Sequence, residues 1–197
     1  MTSLGLKKLG SRFTLDRDKQ NNTLPHEITH MFTDPCYFSV GARGWFSEGL
    51  AEYIAVTPYR GGNYSVKGNR SDLVEYVTGF GKDGSGGRAL LAINNSSKKK
   101  EFIHVGPIKQ FFLMGYDHFT ANGNHNYGVA ALLTYYFFHL EGKEDRTNIT
   151  NFMKALQSGK TGEEALKALL NGRSYEELEE DIQKAWRTRG VKLKFSK

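Results

Sequence analysis

One cysteine, Cys36, in 197 residues excludes an internal disulfide and with it the disulfide-stapled secreted scaffold. Compartment stays open on that ground. Long apolar runs are also missing: the longest, Val129 to Leu140, falls short of the ~20 residues that a helix needs to cross a bilayer. Residues 1–10 contain no apolar core of signal-peptide length. The chain as given reads as soluble, and an extracytoplasmic address would need a signal segment upstream of Met1. Charge is net positive, +6 with a pI near 9.3, but the lysines and arginines are spread along the chain. The one cluster, Lys98-Lys99-Lys100, follows Asn94-Asn95-Ser96-Ser97 and reads as a solvated loop, so no nucleic-acid partner is expected. The length suits one domain over 1–197 with its own core, and nothing in it sets the oligomeric state.

Against these absences stands His26-Glu27-Ile28-Thr29-His30. Four residues advance a helix by about 400°, so both imidazoles emerge on one face a turn apart, the spacing of two metal ligands. Glu27 is offset enough to reach a water activated at the ion. With six histidines in the chain, chance alone would produce this pattern in roughly one such sequence in a hundred, so a second element is needed. A hydrolytic zinc site takes three protein ligands, and the third must come from another segment.

Glu48 is the candidate. It lies in Gly44-Trp45-Phe46-Ser47-Glu48-Gly49-Leu50-Ala51-Glu52-Tyr53-Ile54-Ala55, which reads as a helix capped near Ser47 and stopped before Pro58. Glu48 and Glu52 share one face of it. Carboxylates among Leu50, Ala51, Tyr53 and Ile54 are costly to bury without a metal or strong donors. Cys36 is a weaker third ligand, because Asp34-Pro35 breaks the helix before it and Thr33 lacks the freedom of glycine.

Residues 23–56, with 17 residues between His30 and Glu48, resemble the gluzincins, the zinc peptidases that include thermolysin and aminopeptidase N. The wording Trp45-Phe46-Ser47-Glu48-Gly49-Leu50-Ala51-Glu52-Tyr53 is most similar to the bacterial peptidase MA-like domains. The resemblance implies Zn2+ held by His26, His30 and Glu48, Glu27 as general base, and Glu52 as the acid that orients a ligand histidine, His26. It implies a zincin-like α+β fold, predominantly helical, acting on a peptide or protein substrate. A catalytically inactive zinc-binding or protein-interaction domain is the alternative. In the resembling enzymes a mixed sheet precedes the motif, and only about 22 residues do so here. A short or truncated N-terminal sheet is therefore expected. Their glycine-rich exopeptidase motif is absent, and aminopeptidase activity is not implied.

The resemblance also calls for a donor to the developing oxyanion. Tyr127, at the start of an apolar helix, is the best-placed match, with His125 and His118 as alternatives. His104 and His139 read as structural. Elsewhere, Ser11–Leu15 reads as a strand, 16–22 as a polar turn, 71–79 as a helix and 81–87 as a loop able to act as a lid. Helices are expected over 107–115 and over 127–140, the latter apolar nearly all round, buried behind the metal helices and capped by Gly142. A helical tail follows over 148–158, 161–170 and 174–189, the last two opened by Thr161-x-x-Glu164 and Ser174-x-x-Glu177 boxes.

Overall fold

The computed structural model describes residues 6–15, 23–60, 63–65, 70–79, 87–93, 96–142 and 146–196. The polar turn expected at 16–22 and all but Gly87 of the loop expected at 81–87 lie outside them. Strands β1 (Leu6–Leu9) and β2 (Arg12–Leu15) form an antiparallel hairpin that turns at Gly10 with φ +62°. Helix α1 (Thr23–Phe32) leads through a 3-10 turn at Pro35–Phe38 to α2 (Trp45–Ala55). Then come the short pair β3 (Tyr59–Arg60) and β4 (Asn63–Tyr64), helix α3 (Arg70–Thr78), and the pair β5 (Ala92–Ile93) and β6 (Ser96–Lys99). Strand β7 (Ile103–Val105) precedes α4 (Ile108–Phe112), α5 (Tyr116–Ala121) and α6 (Gly123–Tyr135), which runs into a π-helical turn at Tyr136–Leu140. Helices α7 (Thr147–Gln157), α8 (Gly162–Leu170) and α9 (Tyr175–Arg187) close the chain, and β8 (Leu193–Phe195) returns parallel to β7.

The described chain is thus mostly helical, with strands only in two-stranded pairs, as the expected class requires. Among the described residues no helix is long and apolar enough to cross a membrane.

Helix α6 occupies the centre because it is apolar on every face: Gly128 to Tyr135 are all buried. Helix α2 crosses it at Gly49, where a Cβ would sit 2.6 Å from the Ala130 carbonyl oxygen and closer still to Thr134 Oγ1. At the start of α2, Trp45 packs its ring 4.5 Å from Phe112, 5.5 Å from Phe152 and 5.8 Å from Phe137. Its indole N–H donates to Gly41 O at 2.7 Å, so the large ring is buried without an orphaned donor. Helix α1 rests on α2. It buries no residue fully, and its far side leaves Leu24, Ile28, Met31 and Phe32 exposed, the last at 87 %.

Several boundaries differ from the sequence reading. Helix α2 is capped at Gly44, whose φ of +91° needs glycine, and Ser47 instead accepts the Gly44 N–H at 3.1 Å from inside the first turn. The expected 127–140 helix starts earlier, at Gly123, so His125 is helical, and a separate α5 carries His118. The Ser174 box forms, but Thr161 makes no side-chain cap: Gly162 takes φ +56° and sends its N–H to Val40 O at 2.6 Å. Lys98 and Lys99 belong to strand β6 rather than a loop. Strands β1, β3, β4, β5, β6 and β8 were not foreseen.

The close crossing gives a direct test. Gly49→Ala should destabilise the protein by about 2–3 kcal/mol in chemical denaturation, because overpacking against backbone outweighs the ~1 kcal/mol that alanine gains in helix propensity.

Candidate metal centre

Helix α1 turns both of its histidines toward α2, their rings edge-to-face with centroids 4.8 Å apart. Helix α2 brings Glu48 to them from its first turn, with the carboxylate 3 % exposed. His26 Nε2 and His30 Nε2 are 3.1 Å apart, and Glu48 Oε2 lies 3.2 Å from the first and 3.1 Å from the second. Two imidazole lone pairs and a carboxylate oxygen stand this close only around a proton or a cation. Ligand bonds of ~2.0–2.1 Å in tetrahedral array hold donors about 3.3 Å apart, so the triangle fits a small divalent ion with little adjustment. Among the described residues these three form the cluster that could hold a metal ion; Cys36, half-buried on the 3-10 turn, is outside it. Burial and the neighbouring Asp34 push its thiol up to about 11, away from the thiolate a metal needs.

A second set of contacts orients the donors. Glu52, 2 % exposed, lies 3.0 Å from His26 Nδ1, so that nitrogen keeps its proton and Nε2, once deprotonated, presents its lone pair to the triangle. Glu52 also accepts Arg88 Nη2 at 2.6 Å, Arg88 Nε at 3.0 Å and the Tyr76 hydroxyl at 2.6 Å. Glu48 Oε1 accepts the Tyr116 hydroxyl at 2.9 Å, and Tyr127 hydrogen-bonds to Tyr116 in turn. His30 Nδ1 is buried with no hydrogen-bond partner among the described residues.

These neighbours shift the ionisation of the metal-free site. Burial alone would lower the His26 pKa, but hydrogen bonds and charges from Glu48 and Glu52 raise it from 6.5 to about 9. Burial would raise that of Glu48, but His26 and His30 hold it down to about 2. Burial pushes the Tyr127 hydroxyl up, and the Glu48 charge adds to that, so it is a proton donor throughout the physiological range.

Beside the triad opens a cavity of about 230 Å³ lined by His26, Glu27, His30, Phe38, Arg43, Glu48, Tyr116 and Tyr127. Glu27 is exposed at it. Tyr127 reaches it, with its ring 5.9 Å from that of His26 and the Arg88 guanidinium 4.7 Å from its centroid. The other two candidate donors do not line it. His118 is exposed on α5, and His125 is half-buried beside the backbone of His104. His104 is exposed on β7, while His139 is buried with Nε2 2.8 Å from the Tyr53 hydroxyl.

Tyr116, Arg43, Phe38, Arg88 and Tyr76 were not singled out from the sequence. Tyr116 follows Gly115 in a stretch with no clear period, and Arg88 is 36 residues from Glu52; only the tertiary fold joins them to the site.

Two outcomes follow. Arg88→Gln should leave Glu52 buried and underpaired, lowering stability by about 3 kcal/mol and metal affinity ~10–100-fold as His26 loses its orienting partner; denaturation and metal titration measure each. For the metal-free protein, the raised His26 pKa contributes stability in full below pH 6.5, lost as pH rises through about 9. The lowered Glu48 pKa contributes above pH 4.5, lost as pH falls through about 2. Thermal unfolding across pH should therefore show greatest stability between these limits, and metal affinity should rise toward pH 9 as His26 releases its proton.

Set against protein-family models, curated proteins and solved structures, the chain has no match, so function rests on the geometry of these side chains.

Proposed function

We propose that the protein is a zinc-dependent peptidase of the gluzincin type, with a zincin-like domain. The observation that carries this reading is the convergence of His26 Nε2, His30 Nε2 and Glu48 Oε2 to within 3.2 Å of one another beside a cavity that Glu27 also lines. Two imidazoles and one carboxylate make a donor set suited to zinc, and three protein ligands leave a position open to the cavity. When bound, zinc supplies Lewis acidity, bringing a water's pKa to about 7 and polarising a carbonyl.

The chain's own residues supply the rest. Glu27, exposed at the cavity, takes a proton from the attacking water as its oxygen joins the carbonyl carbon, and delivers that proton to the amine nitrogen when the C–N bond breaks. Tyr127 keeps its proton and offers it to the carbonyl oxygen as negative charge develops there. Tyr116 holds the Glu48 carboxylate still through Oε1, and Glu52, gripped by Arg88 and Tyr76, does the same for His26.

The chain of hydroxyls from Tyr127 to Tyr116 to Glu48 favours a second reading. In it both tyrosine protons stay within the protein and the domain binds zinc without turnover. Cleavage of a peptide library separates the two. The peptidase reading expects chelator-sensitive cleavage that Glu27→Gln abolishes with zinc retained, and that Tyr127→Phe lowers ~100-fold or more in kcat. Absent cleavage, or cleavage that survives Glu27→Gln, would leave the second reading.

A further inference from the structure

Arg43 is the residue of the cavity that the proposed hydrolysis leaves without a task. It is exposed, and among the described residues no carboxylate pairs with it. It is nonetheless held in place. Its backbone N–H donates to Ser39 O at 2.8 Å, the left-handed Gly44 follows at once, and its guanidinium carbon lies 4.4 Å from the centroid of the Tyr116 ring. Stacking on an aromatic face restrains the guanidinium plane while leaving its edge N–H groups free, the arrangement that receives a carboxylate through two parallel hydrogen bonds.

The ring of Tyr116 is also a ruler. Its face carries Arg43 and its hydroxyl meets Glu48 Oε1 at 2.9 Å, so one tyrosine spans the interval between the guanidinium and the metal-ligating triad. A substrate advances ~3.8 Å per residue, and a guanidinium–carboxylate hydrogen bond adds ~2.8 Å. Those two lengths make a carboxylate one residue beyond the reacting carbonyl the shortest candidate for Arg43. Arg43 lines the same cavity of about 230 Å³ as His26, His30 and Glu48, so one ligand can meet both.

We propose that Arg43 forms a carboxylate subsite of the same cavity, so that the protein selects ligands bearing a carboxylate one residue beyond the reacting carbonyl. That carboxylate is either a free C-terminus or an acidic side chain. The proposal deepens the peptidase reading and rests on it for the word substrate, whereas the subsite itself is a matter of binding. Between Phe38 and Tyr116, an anion there meets a cation held against an aromatic ring and paired with no carboxylate among the described residues.

The test uses zinc-loaded Glu27→Gln protein, which binds without turnover, and calorimetric titration with three acetylated dipeptides. One ends in a free carboxylate with an apolar last residue, one is its C-terminal amide, and one is an amide whose last residue is glutamate. The expected result is at least tenfold tighter binding of the free acid or the glutamyl amide than of the apolar amide; which of the two gains identifies the source of the carboxylate. Adding Arg43→Gln should erase the difference with zinc content and Tm unchanged, and Arg43→Lys should restore only part of it, since a lysine lacks the planar fork. Equal affinities, a preference that survives Arg43→Gln because the carboxylate goes to the ion, or no binding of any of the three would overturn the subsite. Arg43-dependent binding of the acid with no cleavage by the wild-type protein would retain the subsite and sink the peptidase reading. Cleavage indifferent to the carboxylate would do the reverse.

Discussion

Two carboxylates one turn apart on a buried helix must each find enough donors to compensate lost hydration, and much of the molecule is arranged to provide them. Glu48 and Glu52 are both almost fully covered, and Gly49, between them, lets α2 approach α6 to backbone contact. Glu52 draws Arg88 from the segment before β5, Tyr76 from α3 and His26 from α1. Glu48 draws His26 and His30 from α1 and Tyr116 from α5. His26 is the shared member, one nitrogen on each acid. That double contact fixes Nδ1 on Glu52 and aims Nε2 at the point where His30 and Glu48 also converge.

The electrostatics of the site grow from this pairing. In the metal-free protein, His26 and the two acids stabilise each other's charged forms, which raises the histidine and lowers Glu48 despite the burial that opposes both shifts. A divalent cation at the triad takes over the role of that proton. Arg88 balances Glu52, so the remaining exposed charges at the cavity are the acid of the proposed hydrolysis, Glu27, and Arg43, which pairs with no carboxylate among the described residues. One is suited to move a proton and the other to hold an anion.

What could be read from the sequence followed helical periodicity. His26 with His30, and Glu48 with Glu52, are each four apart, so each pair's common face was visible without a fold, and the cost of burying unpaired acids pointed one pair at the other. The all-apolar character of 127–140 likewise announced the central helix. The contributions of Tyr116, Arg88 and Arg43 were not visible, because each enters the site from a distant segment through packing that leaves no local period. Local capping signals misled where tertiary contacts overrode them: Thr161 gives up its cap because Gly162 turns to meet Val40 and Gly41, and Ser47 sits inside the helix it was expected to open because Gly44 can take a positive φ. Tyr127 was legible through the resemblance, at the start of the apolar helix, and the structure brings it to the cavity.

The most direct check is the metal stoichiometry of the purified protein after reconstitution with zinc and removal of excess, read by elemental analysis beside Glu48→Ala and Cys36→Ser. About one equivalent in the wild type and in Cys36→Ser, with loss in Glu48→Ala, is the expected result. Less than about half an equivalent in the wild type, or full retention by Glu48→Ala, would contradict a centre built from His26, His30 and Glu48.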